Sequence, residues 1–237
     1  ISTSVVVTDI NSSWKYKIVT YFACNGIDSL ESNELSIDQS KPSIMEIDSV
    51  SFDPITQKIL LGWKNNPAPD TKGYRVYQYN NSVNNKIVDV DSNHVILPGF
   101  NISNPADFTI AAYDSCNLFS AISNFQRAAY LNGSIDTCKR TVSLGWSLYQ
   151  GWNASKQFLV TNINGNGYHK THTFIAGENS TTINNIKTGD SICYYIRTEE
   201  ISSGKTASSN TICFKLKNVK VPIINYFNRP SSSTGMK

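Results

Sequence analysis

Apolar and polar residues alternate with a period of two along most of the chain. Val142, Leu144 and Trp146, for example, are separated by single Ser and Gly residues. This spacing is typical of a half-buried β-strand, because successive side chains of a strand point to opposite faces. The runs end at turn-forming pairs such as Asn164-Gly165, which accept the positive φ of tight turns. Many short strands separated by such turns predict an all-β sandwich architecture.

The same features recur at a nearly constant distance along the chain. Leu61-Gly62-Trp63 returns as Leu144-Gly145-Trp146, an offset of 83 positions (146 − 63). Phe108-Thr109-Ile110 matches Tyr194-Tyr195-Ile196 at an offset of 86 (194 − 108). A fixed period of this kind is the sequence sign of consecutive structural repeats. We therefore predict tandem modules and not one large domain.

The repeat also predicts where the modules begin and end. Two full copies are expected at 42–125 and 126–217. Residues 1–40 carry only late-strand features and are predicted to be the C-terminal half of a truncated module. Residues 218–237 are predicted to be a linker and the start of a further module. We expect the modules to form separate sandwiches in an extended array.

The motifs within the repeat resemble the fibronectin type III domain. An early strand carries one Trp, here Trp63 and Trp146, and the next strand of that family resembles residues 70–77, DTKGYRVY. The later turn Ile186-Lys187-Thr188-Gly189 has Thr where the family usually has Pro, and Ile192 stands where a corner Tyr is usual. The resemblance implies Ig-like sandwiches without catalytic activity.

Three short segments resemble a narrower group of proteins. Residues 111–116, 146–152 and 193–197 are similar to repeats in large surface proteins of gliding bacteria. Those proteins end in a sorting domain that the type IX secretion system recognises. The resemblance implies a bacterial, exported protein with a role in adhesion or gliding.

Composition is that of a folded chain and argues against two kinds of partner. Of the 237 residues, 40% are hydrophobic and 16% are charged, which is ordinary for a packed globular protein. The net charge of +3 comes from scattered Lys and Arg, so we expect no nucleic acid partner. No apolar stretch approaches the roughly 20 residues that a membrane helix needs, so no membrane-spanning segment is predicted. Because the chain opens with Ile1 and lacks a signal-peptide pattern, we expect a segment of a longer protein.

Residues that could support catalysis are few and poorly spaced for it. His169 and His172 follow an Asn-Gly turn, where a regular strand directs residues three apart to opposite faces. Glu199 and Glu200 are adjacent, so their carboxylates cannot share a substrate as acid and base. The sequence has no phosphate-binding Gly loop and no nucleophile elbow. We predict neither enzyme activity nor a cofactor.

One segment partly matches a calcium-binding loop. Asp89, Asp91 and Asn93 have the spacing of the first three ligands. The sixth position is His94, where the loop needs Gly, and the twelfth is Phe100, where it needs a bidentate Glu. We therefore predict no metal site.

Aromatic residues have two expected roles. Trp63, Trp146, Phe108 and Tyr194 are in phase with buried positions and are predicted to form the structural core. Trp152 lies in the connection after its strand and is a candidate ligand platform for a sugar or a partner. The alternative is that Trp152 covers the edge of the sandwich.

Two of the five cysteines are predicted to form a cross-strand disulfide. Cys193 lies between core-facing positions of one strand and Cys213 between those of the next, so both face outward. Each is ten residues from a turn centred near Ser203, which places the two opposite each other in an antiparallel hairpin. No pairing is predicted for the other three, Cys24, Cys116 and Cys138.

Two functional interpretations remain open at this stage. In the first, modules joined by short linkers near Lys41-Pro42 and 125–128 form a semi-rigid extracellular spacer. In the second, one module binds a surface glycan or protein through the loops at one end of its sandwich. The loops are short and rich in Asn, Ser and Gly, which favours the spacer. We predict a non-catalytic scaffold of a secreted or cell-surface protein, with the neighbouring modules as its partners.

Overall fold

The computed structural model describes residues 15–23, 27–36, 40–97, 105–152, 155–175 and 177–216. Every regular element in these ranges is a β-strand, and all the strand pairs are antiparallel. The all-β class predicted from the alternating pattern is therefore confirmed. In chain order the strands are β1 Lys15–Tyr16, β2 Val19–Ala23, β3 Ile27–Glu31, β4 Leu35–Ser36, β5 Ile47–Phe52, β6 Ile59–Trp63, β7 Thr71–Asn80, β8 Val83–Val90, β9 His94–Leu97, β10 Asp107–Asp114, β11 Leu131–Asp136, β12 Thr141–Trp146, β13 Ser155–Ile163, β14 Tyr168–Phe174, β15 Ser180–Ile183, β16 Ser191–Glu200, β17 Thr206–Ser208 and β18 Ile212–Lys215.

The first four strands form an N-terminal hairpin. β2 pairs with β3, and β1 pairs with β4 further from the turn. A strand that the sequence suggests at Ser4 to Thr8 and the cysteine Cys24 both lie outside the described residues. The truncated module at 1–40 stays a prediction.

Two sheets enclose a first hydrophobic core. One has the strand order β5-β6-β9 and the other the order β10-β7-β8. The inward residues of β6, β7 and β10 alternate with outward ones and are almost completely buried, as in the pattern that predicted them. Trp63 and Phe108 lie in this core and are 3% and 1% exposed.

A second core has the same construction. Its sheets have the orders β11-β12-β15 and β14-β13-β16-β17, with β18 also paired to β16. Trp146 and Tyr194 lie between them and are 4% and 2% exposed. In both halves the first, second and fifth strands form one sheet and the third, fourth and sixth strands the other, so the internal repeat extends to topology.

A repeated Ser-Asn pair has a specific structural role. Ser123 Oγ accepts a hydrogen bond from the Ile110 amide at 3.0 Å, and Ser209 Oγ accepts one from Ile196 at 2.9 Å. In the N-terminal hairpin, Ser32 Oγ accepts the same bond from Ile18 at 2.8 Å. In each copy the serine amide also donates back to the carbonyl of the same isoleucine. The serine thus bonds the final segment of each copy to the segment that contains the isoleucine.

The chain passes from the first core to the second without a free linker. Gln126 still pairs with Phe108 of β10, and Ala128 belongs to the first core. The Arg127 backbone exchanges hydrogen bonds of 3.1 and 3.0 Å with Gln150. Residues 125–128, which the sequence suggested as a linker, are therefore packed against both halves of the chain.

Candidate functional site

The segment that partly matches a calcium loop uses its first carboxylate in an ion pair. Asp89 accepts hydrogen bonds from Arg75 Nε at 2.6 Å and Nη2 at 2.9 Å, and from Lys86 Nζ at 2.7 Å. The hydrogen bonds from Arg75 lower the pKa of Asp89 to about 2. Phe100 lies outside the described residues. Within the described ranges, His, Cys, Asp and Glu form no cluster of three or more suited to a metal ion.

The two histidines differ from the sequence expectation in their orientation. His169 pairs with Thr161 and His172 pairs with Leu159, because a register shift between Leu159 and Val160 adds one residue to β14. Since Thr161 and Leu159 are two apart on β13, their partners lie on the same face. The prediction of opposite faces was wrong because it assumed a regular strand. His172 packs against Phe174, with ring centroids 4.7 Å apart.

The predicted disulfide is confirmed. Cys193 and Cys213 lie directly opposite each other in β16 and β18, with Cα atoms 4.0 Å apart, and are bonded. Their outer face adjoins Pro54 and Gln57 of the first half, which share a small groove with Cys213. Cys116 and Cys138 are exposed free thiols.

The two halves of the chain share a polar contact. Residues 48–54, which run from β5 into the following turn, lie alongside residues 205–211. The hydrogen bonds that join the two segments keep the same offset of 157 positions, so the segments run in the same direction. The contacts are Lys205 Nζ to Asp48 Oδ1 at 2.5 Å, the Ser208 amide to Ser51 Oγ at 2.9 Å, and Thr211 Oγ1 to the Pro54 carbonyl at 2.9 Å.

Tyr149 lies at the centre of this junction. The Val50 amide donates to Tyr149 Oη at 2.9 Å, and Tyr149 Oη donates to Gln126 Oε1 at 2.5 Å. Gln126 Nε2 in turn donates to the Ile47 carbonyl. Burial raises the pKa of Tyr149 well above its ordinary value, so the hydroxyl stays protonated and keeps donating. These residues make a continuous polar network across the junction.

Trp152, the candidate ligand platform, also lies at the junction. Its ring stacks on Tyr149, with centroids 3.9 Å apart, and its Nε1 donates to the Asp48 carbonyl at 3.0 Å. The ring also borders a pocket of 300 Å³ that Glu200 and Lys205 line. Trp152 is partly buried, so one part of the side chain is packed and another faces the pocket.

Sequence reasoning did not find this junction. Its participants are single residues that carry no motif and come from distant parts of the chain, such as Asp48, Tyr149 and Lys205. A sequence signal for the junction is the aromatic segment that contains Tyr149 and Trp152, because the other loops are polar.

The comparisons with known proteins gave matches among solved structures. No family model matches the chain, and no curated protein matches it. Similar solved structures include the central fibronectin-III array of RIM-binding protein, at 14% identity and a TM-score of 0.31, covering 78% of this chain and 72% of that one. A segment of two fibronectin type III domains from chicken tenascin has 15% identity and a TM-score of 0.29, covering 76% of this chain and 100% of that one. A structure described as FN3tt mut has 19% identity and a TM-score of 0.31, covering 37% of this chain and 92% of that one.

Proposed function

We propose that the chain is a non-catalytic scaffold in which residues 42–125 and 126–217 are two fibronectin type III modules held as one rigid unit. The observation that carries this proposal is the junction along β5. Its hydrogen bonds involve backbone and side chains along the strand and two residues beyond it, from Asp48 to Pro54. A scaffold needs a fixed angle between its modules, and a polar network with a buried centre restricts that angle more than a flexible linker does.

The fibronectin type III assignment is supported by the repeated strand order and by the motifs around Trp63 and Trp146. Export to an oxidising compartment is supported by the disulfide between Cys193 and Cys213. The likeness of residues 146–152 to repeats of gliding bacteria supports a bacterial surface protein in this proposal. Among the described residues, no helix is long and apolar enough to cross a membrane.

Backbone ¹⁵N relaxation on the full chain tests the rigid unit. We expect one rotational diffusion tensor to fit the amides of both β6 and β12. A variant with both Tyr149→Phe and Trp152→Ala should give two separate tensors, because it removes the centre of the junction. Independent tumbling of the two modules in the unmodified chain would contradict the scaffold proposal.

A second candidate function is binding at the junction pocket. Trp152 supplies an aromatic wall there, and Glu200 and Lys205 supply polar groups of both charges. Aromatic rings beside polar side chains suit a sugar or a protein partner. A glycan array on the full chain and on Trp152→Ala tests this function, and equal signals from the two proteins would count against it.

A further inference from the structure

A cavity of 610 Å³ opens on one side of the second sandwich. It lies between β14 and β15, which form the unpaired edges of their two sheets, so no backbone ladder closes this side. Cavities of this size, with an apolar surface beside polar side chains, are typical of binding sites for small organic molecules. The apolar part of the wall consists of Leu159, Ile163, Ile183, Ile186 and Ile192.

The hydroxyl of Tyr194 is a polar group at the inner end of the cavity. The side chain lines the cavity and is only 2% exposed. Within the described part of the chain its hydroxyl has no hydrogen-bond partner, yet it is not among the fully enclosed unpaired atoms. It therefore opens onto the cavity. Burial raises the pKa of Tyr194 to about 12, so the phenol remains a neutral donor.

The first sandwich shows that the fold does not require this hydroxyl. Phe108 occupies the position that corresponds to Tyr194 in the repeat, and it is 1% exposed in the first core. Because this hydroxyl opens onto the cavity, a molecule that covers it must accept its hydrogen bond, since a buried hydroxyl left unpaired costs free energy.

The charges at the cavity restrict the ligand further. Lys187 and Asp190 are the charged lining residues, and because they have opposite signs they give no net preference for an ionic ligand. Asp190 already accepts a hydrogen bond from Asn164 Nδ2 at 2.9 Å. We propose that the cavity binds an uncharged, largely apolar small molecule whose carbonyl oxygen accepts a hydrogen bond from Tyr194 Oη.

Nile red, an uncharged dye with a ring carbonyl, is a suitable probe for the full chain. We expect saturable binding with a blue-shifted emission. Tyr194→Phe copies the residue of the first sandwich, so it should fold and bind about three- to tenfold more weakly, the loss expected for one hydrogen bond. Ile183→Trp should fill the cavity and abolish binding. Ile55→Ser, at a site 83% exposed in the first half, is the matched control and should bind like the unmodified chain.

A readout in the unmodified protein keeps the proposal testable if Ile183→Trp does not fold. On addition of Nile red, methyl resonances of Ile183, Ile186 and Ile192 should shift, while that of Ile110 in the first core should not. Absence of binding, equal affinity of Tyr194→Phe, or methyl shifts confined to other residues would overturn the proposal.

Discussion

The hydroxyl of Tyr149 accepts a hydrogen bond from the amide of Val50 at 2.9 Å, although the two residues are 99 positions apart. Val50 is in β5 of the first sandwich and is 1% exposed, whereas Tyr149 follows β12 of the second. The first sandwich therefore depends on the second to satisfy a buried backbone donor.

Replacing Tyr149 with Phe should destabilise the chain by about 1–3 kcal/mol, because the Val50 amide then remains buried and unpaired. The measurement is the free energy of unfolding in denaturant. Tyr168→Phe is the control, since the Tyr168 hydroxyl has no hydrogen bond within the described residues and its ring contact with Tyr195 survives the change. Equal stability of the two variants would show that the junction bond contributes nothing.

The disulfide gives a second prediction. Cys193 and Cys213 are separated by 20 positions, and cross-linking a loop of that length restricts the unfolded chain by roughly 3 kcal/mol. A variant with both cysteines replaced by Ser should lose about that much unfolding free energy and should no longer respond to dithiothreitol. If reduction still changes the stability of this variant, another pairing exists, and mass mapping of a non-reduced digest would identify it.

The ion pair of Asp89 predicts a pH dependence. Its pKa is about 2 in the folded chain against an ordinary value of 3.8, so the pair adds stability above pH 3.8, and this stability is lost as the pH falls toward 2. Because Asp89 and Arg75 are partly exposed, we expect only roughly 1 kcal/mol. Asp89→Asn should therefore be less stable than the unmodified chain at pH 6 and nearly equal to it at pH 2. Asp91→Asn, an exposed neighbour, should show no such convergence.

Sequence alone was sufficient where local geometry fixes the structure. The pairing of Cys193 with Cys213 follows from strand alternation and from the position of one turn, both of which are local. The orientation of His169 and His172 was not predictable, because it depends on a β-bulge for which β14 carries no sequence signal. The hydrogen bond between Tyr149 and Val50 could not be predicted, because strand periodicity does not report how two modules contact each other.

The cavity beside Tyr194 was missed for a related reason. Alternation correctly placed this side chain in the core, but alternation reports only which face is buried and not whether the packing is complete. Only the positions of the edge strands β14 and β15 reveal that space remains beside the hydroxyl.

The two core tryptophans provide the last prediction, because they have the same place in the repeat and different partners. Trp146 Nε1 donates to Gln157 Oε1 at 2.5 Å, whereas Trp63 Nε1 is buried and unpaired among the described residues. The difference follows from the sequence, since Tyr74, which pairs with Ala112, stands in the first copy where the second has Gln157, which pairs with Thr198.

Trp146→Phe and Trp63→Phe remove the same side-chain volume, so their packing losses should be similar. Trp146→Phe also leaves the buried Gln157 oxygen without its donor, whereas Trp63→Phe removes an N–H that had no partner. We therefore expect Trp146→Phe to cost about 1–3 kcal/mol more. Native-state hydrogen exchange at amides of β6 and β12 measures the two losses separately in the full chain. A larger loss for Trp63→Phe would mean that the Trp63 N–H has a partner after all, such as a bound water.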